Sequence, residues 1–326
     1  MLIPGQPSRN LPRLGGANDP SQALGNRNGT RETKEGEVER DELLSDEVLG
    51  MLRKLPHTFR DGGINFECIY TGESFTKARG GINPTRPTNY RSYLDSVGTL
   101  DTTKMGWWEN GRFFVYGQNL SGRPLSVEEV GDVQLFSNLD STINTTERPH
   151  FTTIAEYWYE QLTLDEALRI KIGKQDANAD FALTDLGGDF VHSSFGLPPM
   201  IPLPSFPSQA LGIATFLGIT ETFKIGFGVY DGTLPSEPQG VRWGFDTLGH
   251  NGAITLYQFE WKPQLSSEGQ FPSTIRTGLW HHSGKNVWIE QTANQNPITY
   301  RHNYGVWTTF DQMLWKESGG EDIDQG

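Results

Sequence analysis

From about residue 63 onward, apolar and polar side chains take turns along the chain, and each run of alternation is long. Across 63–75, Ile64, Phe66, Cys68 and Tyr70 are interleaved with Asn65, Glu67, Thr71 and Glu73. Across 167–174, Leu168, Ile170 and Ile172 alternate with Arg169 and Lys171. Across 222–231, Phe223, Ile225, Phe227 and Val229 alternate with Lys224, Gly226, Gly228 and Tyr230. Across 252–262, Ala253, Thr255, Tyr257, Phe259 and Trp261 are faced by Gln258, Glu260 and Lys262. A period of two means a strand with two unlike faces. Runs of about 9–11 residues suit a tilted strand that crosses a bilayer, whereas most soluble strands have about 5–6. Weaker copies near 88–101, 111–119, 150–162, 209–219, 273–283 and 302–315 bring the candidates to about ten. Their links alternate in length: 163–165 and 220–221 are tight, while 175–208 is a long excursion. The fold this predicts is all-β, an antiparallel up-and-down transmembrane β-barrel.

Placing the apolar set against lipid puts the polar set in a lumen. That set contains Glu67, Glu73, Glu156, Glu160, Arg169, Lys171, Lys224, Glu260, Lys262 and Arg276. Ions of both signs are costly in a dry core and cheap in a water-filled bore. Mixed charges beside aromatic rings also suit a sugar path, since hydroxyls need donors and acceptors and pyranose faces stack on rings. The competing reading is a soluble β-sandwich with one wet face, for example a secreted carbohydrate-binding protein. Trp107, Trp108, Trp158, Trp261, Trp280, Trp288, Trp307 and Trp315 cluster at strand ends, as interfacial girdles do. The net charge of -13 argues against nonspecific nucleic-acid binding. Cys68 is the only cysteine, which excludes a disulfide framework and a cysteine-based zinc site.

The rest of the chain divides simply. Residues 1–40 are rich in Pro, Gly, Asn and charge, and read as disordered. Residues 41–61 hold a short amphipathic helix with Leu44, Val48, Met51 and Leu55 on one stripe, then a linker. The barrel spans 62–317 and a polar tail follows over 318–326. No signal peptide is visible at the recorded start.

Enzymatic constellations are weak. HExxH, GxSxG, P-loop and GxGxxG patterns are absent, and no cofactor, metal or catalytic residue is expected. Asp176, Asp180, Asp185 and Asp189 lack the tight spacing of a calcium loop. Glu156 and Glu160 share a strand face but stand roughly 13–14 Å apart, too far for a glycosidase pair. His281 and His282 are adjacent on a strand and point to opposite faces.

Longer stretches carry a resemblance. FECIYTGESFTKARGGI (66–82), YLDSVGTLDTTKMGWWENGRFFVYGQNLSG (93–122) and VGDVQLFSNLDS (130–141) are followed by EYWYEQLTLDEALRIKIGKQDANADFA (156–182) and VHSSFG (191–196). LGIATFLGITETFKIGFGVYDG (211–232) and DQMLWKE (311–317) complete the series. In order and spacing this resembles the carbohydrate-selective porin family, OprB type, over about 62–317. The resemblance implies an outer-membrane barrel of about sixteen strands, passive uptake of monosaccharides such as glucose, and a bilayer as partner, as a homotrimer or a monomer. It implies that loop 175–196 and segment 130–146 fold inward. The pore-lining and sugar-facing candidates are Glu73, Arg79, Glu156, Arg169, Lys171, Asp176, Asn178 and Asp180. The plain alternatives are that Asp176 and Asn178 only cap a turn, and that Arg169 only neutralises Glu156 across the strand pair. Family members continue beyond DQMLW with further strands and carry an export signal. The chain is therefore expected to be a truncated porin or a fragment, and a non-functional remnant is a third reading.

Overall fold

Each alternating run forms a strand in the computed structural model. It describes residues 61–315 apart from 133–134, 136, 138–139, 141–148, 186, 188–189, 197, 199, 234–242, 264–270 and 288–298. The segments 1–40, 41–60 and 318–326, Asp189 and Trp288 lie outside the described residues. The strands are β1 (Ile64–Thr76), β2 (Thr88–Asp101), β3 (Gly111–Gly122), β4 (His150–Thr163), β5 (Leu168–Gln175), β6 (Ala210–Gly218), β7 (Phe223–Asp231), β8 (Ala253–Trp261), β9 (Ser273–Val287) and β10 (Thr299–Gln312). They form one sheet in sequence order, every neighbouring pair antiparallel. Among the described residues β1 and β10 are the two edges and do not pair with each other.

Links 102–110, 164–167 and 219–222 lie at one end of the sheet, and 77–87, 123–149, 176–209 and 232–252 at the other. The link between β4 and β5 turns without glycine: Leu164, Asp165 and Glu166 all take left-handed φ of 53°, 52° and 66°.

The register fixes two faces. Glu160 pairs with Lys171, Lys171 with Ala214, Ala214 with Gly228, Gly228 with Leu256, Leu256 with Trp280 and Trp280 with Gly305. This row faces the long loop 176–209 and defines the inner side. Phe223, Ile225, Phe227, Tyr257, Phe259, Ile213 and Leu279 belong to the other side, and several of them are among the large exposed apolar groups. Arg169 and Lys171 are on the inner side, as the alternation requires.

The sheet must curl. Phe206 of the long loop packs on Tyr93 of β2, while Leu183 of the same loop accepts a hydrogen bond from Thr309 of β10. A flat sheet would hold β2 and β10 roughly 38 Å apart at about 4.8 Å per strand. The two loop residues cannot span that distance, because Phe206 is tied back to Asp176 and a 3-10 turn (Ala177–Ala179) shortens the path to Leu183.

Two sequence expectations need correction. Trp158, Trp280 and Trp307 do not belong to an interfacial girdle; they are buried on the inner side. Their phase already placed them with Glu160, Arg276 and Thr309. Trp107, Trp108, Trp261 and Trp315 are exposed. Nor is the inner side uniformly polar. Tyr93, Leu120, Phe114, Ile254 and Leu256 form dry patches there. The loop seats on two of these patches, Phe181, Ala182, Ile201 and Leu203 on Ile254 and Leu256, and Phe206 on Tyr93 and Leu120, whereas Phe114 packs within the wall against Tyr116 and Trp158.

Candidate functional site

The loop after β5 begins with a self-contained turn. Asp176 accepts a hydrogen bond from the Asn178 backbone N–H, capping the turn Ala177–Ala179. Its other oxygen accepts from the Ser205 hydroxyl at 3.0 Å and the Phe206 N–H at 3.3 Å, which closes the loop on itself. Asn178 donates to the carbonyls of Phe181 and Ala182. Glu156 of β4 accepts from the Asp176 N–H and from the Trp158 indole. Burial first, then the neighbouring Glu156 carboxylate, pushes Asp176 up to about 7.

The turn delivers Asp180 to the inner wall. Arg169 donates to Asp180 at 2.5 Å and to Glu160 at 2.7 Å, and Lys171 donates to Asp180 at 2.8 Å. Arg112 of β3 reaches the other oxygen of Glu160 at 2.8 Å. The row therefore reads Arg112, Glu160, Arg169, Asp180, Lys171, with signs alternating up to the final cation. Burial acts to raise the Asp180 carboxyl, but the charges of Arg169 and Lys171 outweigh it and hold it well below the usual carboxylate range. Aromatic rings floor this row. The Arg169 guanidinium lies 5.2 Å from the Phe216 ring centre. Lys171 and Arg112 lie 4.8 and 5.1 Å from Trp158, which itself stacks on Phe114 at 4.5 Å. The Lys171 side chain is only 4 % exposed, whereas Arg169 keeps 30 %. Arg169 and Arg112 are thus the cations of the row that still meet solvent.

Two further pairings hold loops inward. Arg276 of β9 binds Glu260, Asp311 and the loop residue Asp185, and donates to the Leu183 carbonyl. On the other flank Arg91 bridges Glu73 at 2.5 Å and Asp140 at 2.7 Å, and Ser137 donates to Glu73. Asp140 and Ser137 come from the link between β3 and β4, so that link also turns inward where it is described. The two loops meet: Ser193 donates backbone and hydroxyl to the Leu135 carbonyl, and His192 lies 3.5 Å from Asp132.

The antiparallel wall thus has an apolar outer face and carries two loops clamped to its inner side by ion pairs. Residues 94–324 match the family described as "Carbohydrate-selective porin, OprB family". The chain belongs to the OprB family. The high-pH structure of Pseudomonas putida OprB aligns with a TM-score of 0.66 and 22 % identity, covering 81 % of this chain and 65 % of that one. The low-pH structure aligns with a TM-score of 0.46 and 16 % identity, covering 80 % of this chain and 71 % of that one. The first supports the fold of this OprB-family chain, which spans 65 % of that chain's length. No curated protein matches.

The eight residues singled out from sequence separate into distinct settings in this OprB-family chain. Arg169, Lys171 and Asp180 meet in one network, with Glu73 in a second cluster around Arg91. Asp176, Asn178 and Glu156 are buried, and their hydrogen bonds shape and seat the loop. Arg79 is exposed on the link between β1 and β2 and joins neither cluster. Arg169 pairs with Glu160 and Asp180, not with Glu156 as the simple cross-strand alternative has it, because Glu156 lies four residues up the strand and is bound to the loop turn. Sequence reasoning missed Arg112, Arg91 and the floor of Trp158 and Phe216. Arg112 is in phase with Gln118, a usable signal, but Phe113 and Phe114 blur the alternation around it. Among the described residues no group of three or more His, Cys, Asp or Glu is placed to hold a metal.

Proposed function

We propose that this chain forms the wall and constriction of an outer-membrane pore that lets small sugars such as glucose diffuse passively down their gradient. The observation that carries this is the partly exposed Arg169, held between Glu160 and Asp180 over the Phe216 ring. A guanidinium with fixed carboxylates beside it offers hydroxyls donors and acceptors at once, and an aromatic floor offers a pyranose its C–H contact. The carboxylates also satisfy most of the arginine, so any sugar contact is weak. Weak contact suits a permeant that must leave as readily as it enters. The role is that of a channel and involves no bond making. The pore-lining roles of Glu73, Arg112, Arg169 and Asp180 belong to this proposal, with Lys171 as the buried cation that positions Asp180.

Liposome swelling tests it. The purified chain, reconstituted, should admit glucose, and Arg169→Ala should alter sugar preference and the salt dependence of conductance while insertion is kept. Swelling absent from well-inserted protein would refute the pore. Failure of Arg169→Ala to insert would make Arg169 a structural residue instead.

A further inference from the structure

One lysine is on the wrong side of the wall. Lys174 pairs with Tyr157 of β4 and Leu211 of β6, in the same row as the outward Ile172 and Ile213 positions two residues away on each strand. A bare ammonium on a lipid-facing row costs most at the bilayer midplane and less toward the headgroups, and Lys174 is one residue from the loop end of β5. Yet Lys174 is buried and donates to the Ile154 carbonyl at 2.8 Å. What covers it is the link between β7 and β8. The Tyr157 hydroxyl donates to the Trp243 carbonyl at 2.5 Å, and the two rings meet edge to face at 5.4 Å. Gly244 lies close against Leu211, where an added Cβ would come within 3.3 Å of its side chain. Glu156 first, and then Asp246 of this link, acts electrostatically on the buried Lys174. Residues 243–250 therefore form a strap across the outside of β4, β5 and β6, at the end of the sheet that carries the long loops. The strap is pinned at its base by Asp231, which accepts from the Gly249 N–H, and by Thr233, which donates to the Thr247 carbonyl.

The strap keeps three large apolar side chains exposed. Trp243, Phe245 and Leu248 are 53 %, 67 % and 53 % exposed. Tryptophan with a phenylalanine and a leucine, over a neutralised lysine and aspartate, is the composition of a segment at the boundary of headgroups and acyl chains. We propose that residues 243–248 are a lipid anchor that inserts its three apolar side chains into the adjoining leaflet, fixing the depth of this rim. The strap thereby shields Lys174 and grips the bilayer with one segment. This inference rests on the membrane reading above.

The experiment uses the full chain with Cys68→Ser and one new cysteine, Phe245→Cys, carrying an environment-sensitive fluorophore, in phosphatidylcholine vesicles. Lipids bearing a quencher near the headgroup or at the chain end report depth, and aqueous iodide reports exposure. A matched probe at Phe227→Cys, on the outward row of β7, reports the wall itself. The anchor predicts that the headgroup-level quencher acts on position 245 at least about twofold more than the chain-end quencher, with iodide weak. At 227 lipid quenchers of either depth should act. Quenching at 227 with position 245 open to iodide would overturn the anchor and leave the membrane reading standing. No lipid quenching at either position would overturn both. Crosslinking of 245 to 245 between copies, with no lipid quenching there, would overturn the anchor in favour of contact with a second copy. Leu248→Cys repeats the reading should the first variant assemble poorly.

Discussion

Asp180→Ala isolates what holds the long loop against the inner wall. Asp180 is the carboxylate that reaches Lys171, at 2.8 Å, and the lysine is 4 % exposed over Trp158. Removing one partner of a buried pair costs about 3–5 kcal/mol, because the remaining charge stays desolvated. Arg169 adds less, since it is 30 % exposed and keeps Glu160. The loop also has an apolar seat, and the fully buried Phe181 is worth about 1.5–3 kcal/mol of it. The two contributions are comparable, so the loop should loosen without the wall failing. A cost of about 3–5 kcal/mol shifts an opening equilibrium roughly 10²–10⁴-fold. Protease nicking within the loop, measured on reconstituted protein, should rise accordingly, and single-channel conductance should become larger and noisier. The decisive arm is Asp180→Ala with Lys171→Met. An apolar side chain of similar length removes the orphaned charge, and most of the protection should return. If Lys171→Met restores nothing, the ion pair is not what seats the loop. If Asp180→Ala alone changes neither nicking nor conductance, the network is decoration.

Two other outcomes follow from the same geometry. Asp176, raised to about 7 from an ordinary value of 3.8, favours its protonated form when the loop is seated. Its contribution is fully present below about pH 4 and is lost as pH rises through about 7, so loop protection should fall over that window and Asp176→Asn should flatten the slope; a slope unchanged in the variant would refute the assignment. An added Cβ at Gly278 would come within 2.0 Å of the Trp307 ring, while at Gly98 it would meet nothing within 4 Å. Gly278→Ala should lower stability by about 1–3 kcal/mol and Gly98→Ala should not, read as the temperature at which the unboiled gel band shifts; equal effects would refute the packing argument.

The alternation along single strands settled most of the architecture in advance. A strand shows its two faces in its own residues, so Leu168, Ile170 and Ile172 against Arg169 and Lys171 needed no partner to be read. The ten strands, their order and the outward apolar rows follow from that local signal and from short links such as 164–167. What surrounds an inward side chain is another matter. Whether Asp176 and Asp180 look into water or into a wall depends on where the loop comes to rest, and four residues separate a turn cap from an ion-pair partner. Trp158 keeps its phase on the strand, yet its role as a covered floor exists only because Phe114, Arg112 and Lys171 arrive from neighbouring strands. Lys174 shows the limit from the other side: its phase is outward, and the Ile154 carbonyl, the charge of Glu156 and the strap from between β7 and β8 together make that position tolerable. Periodicity is a property of neighbours in the chain and was fixed by the sequence alone. Desolvation, ion pairing and the seat of a loop are properties of neighbours in space, and only the curled sheet brings those together.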